Sequence, residues 1–151
     1  MQHDVSNTRV RLVYALVILA CWSTPTLCQT TEDVNATYLN FDIDTFRPIF
    51  AEHTDGEISI DEMYHAKFCV PEGDYRQALR DLIESAADGE FTDGLVRLKL
   101  TGLYEDPVFI DTQGGVRIGG LDGAQHKLSE VQFTYLRALV NAIARWNPCG
   151  D

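Results

Sequence analysis

The chain has 151 residues, with 23 acidic and 12 basic side chains and a formal net charge of −11 at pH 7. Such an acidic surface repels the phosphates of nucleic acids and of anionic lipids, so we expect neither as a partner. The length allows one domain with a real hydrophobic core and is too short for two.

The first 28 residues carry the most informative signal in the sequence. Arg9 and Arg11 precede an apolar run over residues 12–22, which ends at a Ser-Thr-Pro triplet. A basic lead, an apolar run of this length and a small polar exit are typical of a signal peptide, which we expect to be cleaved after Cys28. The mature protein would then be secreted or periplasmic, with no stable membrane span after processing.

Two other fates of this segment stay open. A retained membrane helix would need about 20 apolar residues, and the run approaches that length only if it is counted on to Cys28. Lipidation of Cys21 is the second alternative, because residues 18–20 resemble the apolar and small residues that precede the cysteine of a bacterial lipoprotein. Either outcome would anchor the protein at a membrane.

The cysteine count agrees with export. If Cys21 and Cys28 leave with the leader, Cys69 and Cys149 remain as an even pair in an oxidising compartment. The pair predicts one disulfide, which would close a loop of about 80 residues and disfavour the unfolded chain by about 4.5 kcal/mol. It would tie the end of the chain to its middle.

The residues after the leader are less regular. Residues 29–37 are polar and predict a flexible mature N-terminus. They include an Asn-Ala-Thr sequon, which makes Asn35 a glycosylation site if the host is eukaryotic. Residues 38–50 begin with strand-like alternation and finish near helical spacing, so we expect a short strand or arm followed by a helical turn.

The stretch over residues 73–87 predicts an amphipathic helix. Its apolar residues recur at helical spacing, Arg76, Arg80 and Glu84 fall on the opposite side, and an Asp-Gly pair follows as a stop. The stripe that we expect to be buried comprises Tyr75, Leu79, Leu82, Ile83 and Ala86.

The pattern then changes to a period of two, which is typical of strands with one buried face. A glycine-containing turn at residues 113–115 separates two such runs and predicts a hairpin. We therefore expect about three antiparallel strands between residues 94 and 120. The apolar positions predicted to share one face are Val96, Leu98, Leu100, Val108, Ile110, Val116 and Ile118.

A second helix is predicted over residues 130–146. Ser129 and Gln132 have the spacing of a capping box, and Leu128 and Phe133 have that of a hydrophobic staple. Arg145 near the end suits the helix dipole. The predicted buried stripe comprises Phe133, Leu136, Leu139, Val140 and Ile143.

These elements together predict a single α+β domain over residues 38–151, in which amphipathic helices pack on one face of a small antiparallel sheet. The other face would then be exposed or used for binding. A mixed basic and aromatic surface would form a docking face on this acidic chain, although a merely solvated face is the alternative. The side chains expected there are Arg97, Lys99, Phe109 and Arg117.

Residues 46–62 resemble an EF-hand, the helix-loop-helix motif that binds calcium. An apolar segment that ends in Phe50 stands where the incoming helix would end, and Gly56 stands at the sixth of the twelve loop positions. The family needs a glycine there for a sharp bend and oxygen ligands at alternating positions, ending in a bidentate Glu. The resemblance implies calcium ligands at Asp55, Glu57, Ser59 and Glu62.

The segment departs from the EF-hand pattern at two ligands, because Ala51 and His53 replace the first and third oxygen donors. The resemblance therefore implies a degenerate site rather than tight calcium binding. Residues 79–92 repeat part of the pattern, but Leu95 stands where the second bidentate Glu would be. Two Asp-Gly turns that each end a helix are the simpler alternative.

No nucleophile, metal or phosphate-binding motif of known catalytic type is present. We therefore favour an exported, non-enzymatic protein that binds, inhibits or assists another extracytoplasmic protein and is stabilised by one disulfide. A degenerate EF-hand protein that responds to calcium is the second hypothesis. The third is a small hydrolase that uses acidic pairs such as Asp61-Glu62 and Glu105-Asp106.

Overall fold

The structure is a computed structural model that describes residues 33–52 and 56–146. No helix within these two ranges is long and apolar enough to cross a membrane. The predicted leader, its cleavage site and Cys21 lie outside the described residues. The elements in chain order are β1 (Val34–Tyr38), β2 (Ile49–Phe50), β3 (Ile58–Ser59), β4 (Ala66–Val70), α1 (Asp74–Glu84), β5 (Ala87–Asp88), β6 (Val96–Thr101), β7 (Val108–Asp111), β8 (Gly115–Ile118), β9 (Ala124–Lys127) and α2 (Glu130–Trp146).

The predicted fold class is wrong. The described residues form a mostly β structure with one seven-stranded sheet in the order β4-β1-β6-β7-β8-β9-β5, rather than a small sheet of about three strands. Neighbouring strands of this sheet run antiparallel, while β2 and β3 form a separate parallel pair. The three strands expected between residues 94 and 120 are present as β6, β7 and β8, at the centre of the larger sheet.

Strand β1 occupies residues 34–37 of the segment that we expected to be flexible, while residues 29–32 of that segment lie outside the described residues. It lies between β4 and β6, where Val34 pairs with Val70 and Asn35 pairs with Thr101. Val34, Ala36 and Tyr38 are buried on one face, so this polar-looking stretch alternates as a half-buried strand does. Asn35 points away from that face and is exposed. Glycosylation at this sequon stays a prediction.

Both predicted helices are confirmed and pack on one face of the sheet. The structure ends α1 at Glu84, three residues earlier than expected, and leaves Tyr75 exposed, whereas Leu79, Leu82 and Ile83 are buried. Helix α2 has the predicted bounds, and its described apolar stripe packs with β-strand residues in one core. The sheet residues in this core include Leu98, Leu100, Val108, Ile110 and Val116.

The capping box of α2 forms as expected. The backbone N–H of Ser129 donates to Oε1 of Gln132 at 2.8 Å, and the backbone N–H of Gln132 donates to Oγ of Ser129 at 3.3 Å. The same Gln132 side chain donates to Oγ of Ser85 at 2.9 Å. One residue therefore caps α2 and fixes its first turn to the end of α1.

Asp111 organises the β7-β8 hairpin from a fully buried position. Its carboxylate accepts backbone N–H bonds from Thr92, Gln113 and Gly115 at 2.7–2.8 Å. Gly114 adopts a φ of +81°, and a Cβ on Gly115 would lie 2.3 Å from Oδ2 of Asp111. The two glycines therefore allow the tight turn and the close approach of the carboxylate.

We expect Asp111→Ala to lower the free energy of unfolding by about 3 kcal/mol, because it removes the acceptor of three backbone N–H groups, of which that of Gly115 is buried. Asp111→Asn keeps one acceptor oxygen and should cost less. Urea unfolding checks both, with the exposed Glu105→Ala as the control. Equal stability of Asp111→Ala and the control would contradict the role given to this carboxylate.

Candidate functional site

The sheet face opposite the helices is covered, which corrects the expectation of an exposed docking surface. Residues 39–52 and 56–65, which we call the covering segment, contribute Leu39, Ile49, Ala51 and Ile60 to a second core with Phe91, Val96 and Phe109 on this face. Phe41 of the same segment packs instead in the helix-side core. As a result Arg97, Phe109 and Arg117 are buried, and Lys99 is partly buried. Sequence reasoning placed these side chains correctly with respect to the sheet but missed what packs over them.

Cross-strand pairing brings three of the four predicted residues together. Phe109 pairs with Lys99 of β6 and with Arg117 of β8, so the three side chains form a row across the sheet. Lys99 Nζ lies 5.9 Å from the centre of the Phe109 ring and 2.5 Å from Oδ2 of Asp61 in the covering segment. The row therefore anchors the covering segment instead of meeting solvent.

Arg117 is a buried charge, only 2% exposed. Its guanidinium lies 4.8 Å from the ring centre of Phe91 and 5.2 Å from that of Phe109. Nη1 is 3.0 Å from Oδ2 of Asp93, whereas Nε and Nη2 are buried and have no hydrogen-bond partner within residues 33–52 and 56–146. Cation-π attraction to the two rings and the ion pair with Asp93 offset the cost of burying the charge.

Asp93 extends this interaction to the covering segment. Its Oδ1 accepts the backbone N–H of Ala51 at 3.1 Å and that of Gly94 at 3.2 Å, while Oδ2 faces Arg117. Ile49 also donates its backbone N–H to the carbonyl of Gly94 at 2.8 Å. The start of the covering segment's β2-β3 pair is thereby held against the sheet.

A β-bulge at Arg97 changes which face its neighbours occupy. The register between β6 and β7 shifts between Val96 and Leu98, so Val96 joins the second core instead of the helix-side core. This corrects the prediction that Val96 shares a face with Leu98 and Leu100. Bulges of this kind insert one extra residue and redirect side chains.

The Arg97 side chain reaches from β6 to the covering segment and binds it through hydrogen bonds. It donates to the carbonyl of Ile43 at 3.3 Å, to Oγ1 of Thr45 at 3.4 Å and to the carbonyl of Val96 at 2.9 Å. Burial lowers the pKa of the Arg97 guanidinium, and the charge of Asp44 opposes that shift. The backbone of residues 43–45 is therefore fixed by a buried cation.

Residues of the covering segment line an open, mainly apolar cleft of about 520 Å³. One wall begins at the fixed backbone of residues 43–45, and the other lies at residues 62–65, where the N–H of His65 donates to the carbonyl of Tyr38 at 2.7 Å. Phe46 is fully exposed, and Met63 and Tyr64 are 44% and 46% exposed. The lining residues are Leu39, Ile43, Asp44, Thr45, Phe46, Arg47, Ile58, Glu62, Met63, Tyr64 and His65.

The cleft lies in the most acidic part of the chain. Residues 42–62 contain seven Asp or Glu residues and one Arg, a net charge of −6. Asp42 contacts Arg137 and Asp61 contacts Lys99, and the remaining carboxylates still outnumber the arginine. Asp44, Glu62 and Arg47 line the cleft itself, so carboxylates exceed guanidinium groups there by one. An apolar cleft with this acidic excess favours a ligand that is both apolar and cationic.

The local structure of the EF-hand-like segment differs from that of an EF-hand. Ile49 and Phe50 form the two-residue strand β2, which pairs with β3 of the loop, so the segment before the loop is a strand rather than a helix. Ser59 is buried, and its backbone N–H donates to Oε2 of Glu62 at 2.9 Å. Asp55 lies outside the described residues, and calcium binding by Asp55, Glu57, Ser59 and Glu62 stays a prediction.

The structure describes only one of the two cysteines of the predicted disulfide. Cys69 lies in β4, with its Sγ 3.4 Å from Oδ1 of Asn35, and Cys149 lies outside the described residues. The pair stays a prediction.

The acidic pairs suggested for hydrolysis lie in different surroundings. Asp61 contacts Lys99, while Asp106 lines an open depression of about 620 Å³ together with residues 118–124. No group of three or more His, Cys, Asp or Glu residues suited to hold a metal occurs within the part of the chain that the structure describes. A hydrolytic role stays a prediction without a defined site.

The cleft itself was missed by sequence reasoning. Phe46 is separated in the chain from the adjacent Met63 and Tyr64, and the three follow no strand or helix period, so nothing local marks them as one surface. The usable signal was the accumulation of apolar residues within an acidic stretch, which a single helix or strand would not explain.

Comparison with models of protein families, with curated proteins and with solved structures finds no match.

We expect Asp93→Ala to lower the free energy of unfolding by about 3 kcal/mol, because it leaves the Arg117 charge buried without its counter-ion. Arg117→Met should cost less, since it removes that charge and keeps much of the packing. The double variant should be more stable than the sum of the single effects implies, with a coupling of about 1 kcal/mol or more.

Urea unfolding of all four proteins measures this coupling. The exposed Asp122→Ala serves as the control and should change stability by less than about 0.5 kcal/mol. Additive effects of the two single substitutions would show that Asp93 and Arg117 do not act as a pair.

Proposed function

We propose that this protein is an exported, non-enzymatic binding protein, of the inhibitor or accessory type, that takes an extended segment of another protein into the cleft of its covering segment. The observation that carries the proposal is the cleft with Phe46, Met63 and Tyr64 exposed at its border. Aromatic and methionine side chains are enriched at protein interfaces, where they supply much of the contact energy. Export rests on the leader sequence.

The chemistry of the cleft defines the partner segment. Its lining offers apolar surface for one aliphatic or aromatic anchor, and its charged lining residues are Asp44, Glu62 and Arg47. The excess of carboxylates over residues 42–62 would attract Lys or Arg beside that anchor. We therefore expect an apolar residue flanked by basic residues.

The anchoring of the cleft supports binding by a preformed surface. Arg97 fixes residues 43–45, and the hydrogen bond from His65 to Tyr38 fixes the other wall to β1. A surface that is already ordered loses less conformational entropy when a ligand binds. Rigid walls that carry exposed apolar side chains suit recognition better than they suit a purely structural role.

Selection of peptides from a random library displayed on phage tests the proposal. We expect enriched peptides to contain an apolar anchor next to Lys or Arg. Synthetic fluorescent copies should bind Tyr64→Ala and Phe46→Ala about fivefold or more weakly than the parent protein. Their binding should also weaken as salt is raised, because screening reduces the attraction of the acidic surround.

Leu121→Ala is the matched control, because Leu121 is an exposed apolar residue in a different loop. Its peptide affinity should equal that of the parent protein. Peptides that lack basic residues, or that bind Tyr64→Ala and Phe46→Ala as tightly as the control, would overturn the proposal.

A further inference from the structure

Helix α2 carries a second apolar stripe that the core does not use. Val131 and Trp146 are each 80% exposed, Tyr135 is 54% exposed, Ala138 is exposed and Ala142 is partly exposed. The spacings of 4, 3, 4 and 4 residues place all five on one side of the helix, about 22 Å from end to end. We call these five residues the α2 stripe.

The two ends of the α2 stripe differ in shape. The first half contains an open, mainly apolar depression of about 480 Å³, lined by Glu130, Val131, Thr134, Tyr135 and Ala138. The second half has small Ala142 and ends in the large, exposed side chain of Trp146. One end therefore offers an open depression and the other offers a bulky apolar group.

We propose that the α2 stripe binds the α2 stripe of a second copy of this chain, with the two helices antiparallel. This arrangement sets Trp146 of each copy against Val131 and the depression of its partner. It also sets Tyr135 against the small Ala142, while the two Ala138 residues meet near the two-fold axis. A two-fold interface requires such a self-complementary surface.

Charge favours the same orientation. Glu130 lies in the first turn of α2 and Arg145 lies in its last turn. Antiparallel helices bring Glu130 of one copy near Arg145 of the other, twice in each dimer, and they also oppose the helix dipoles. A parallel arrangement would place like charges together.

Sedimentation velocity over a concentration series tests the proposal. The sample is the protein as it is isolated from the cells that make it. We expect a dimer whose Kd rises about tenfold or more in Trp146→Ala and in Ala138→Arg. Leu121→Ala also removes an exposed apolar side chain, in a loop away from α2, and should leave the Kd unchanged. Circular dichroism of each variant checks that the fold is retained.

Two further readouts identify the orientation and the forces. Glu130→Lys and Arg145→Glu should each weaken the dimer, and the double variant should recover most of the lost affinity. Salt should strengthen the dimer, because screening reduces the repulsion between two chains of net charge −11. Binding of a cationic peptide in the cleft has the opposite salt dependence, so failure of one proposal is distinguishable from failure of the other.

A protein that stays monomeric at the highest soluble concentration would overturn the dimer, whether the N-terminal segment of the chain or another protein covers the stripe instead. A dimer that Trp146→Ala and Ala138→Arg leave intact would also overturn it. A double charge variant that binds no better than the single variants would exclude the antiparallel orientation.

Discussion

A single guanidinium group organises the side of the sheet that faces away from the helices. Arg117 reaches from β8 between the rings of Phe91 and Phe109 and meets Asp93, which in turn accepts the backbone of Ala51. A buried cation is unfavourable unless rings and carboxylates surround it. Asp93 links this charge to the covering segment through the backbone N–H of Ala51, so the position of the β2-β3 pair over the sheet depends on it, while Arg97 holds Ile43 and Thr45 beside the cleft.

The helices and the central hairpin were predictable because their signals are local. Three features appear as expected, and each occupies a short stretch of chain. They are the buried side of α2, with Leu136, Leu139, Val140 and Ile143, the Ser129-Gln132 capping box, and the alternation in β7 and β8. Local patterns of this kind report which face an element buries. They do not report what covers the opposite face.

The rest of the fold depends on pairings between distant residues. Strand β1 is polar at every second position, and Val34 and Ala36 are buried because the strand pairs with β4 and with β6, the latter more than sixty residues later, within the helix-side core. The basic and aromatic residues of β6 to β8 alternate with apolar ones, as the residues of a solvent-exposed sheet face do. The carboxylates that pair with Lys99 and Arg117 are Asp61 and Asp93, which lie outside these strands. A period of two alone does not distinguish a solvated cation from one neutralised by a remote carboxylate.

The ends of the sheet bear on how copies of this chain can associate. At one margin stands β5, which contributes only Ala87 and Asp88, and at the other stands β4, whose exposed Lys67 lies over the ring of Tyr64. Short or lysine-bearing margins discourage the addition of further strands from neighbouring molecules. The addition of strands from other molecules through main-chain hydrogen bonds is therefore disfavoured at both edges of the sheet. Copies of the chain are more readily joined through their side chains.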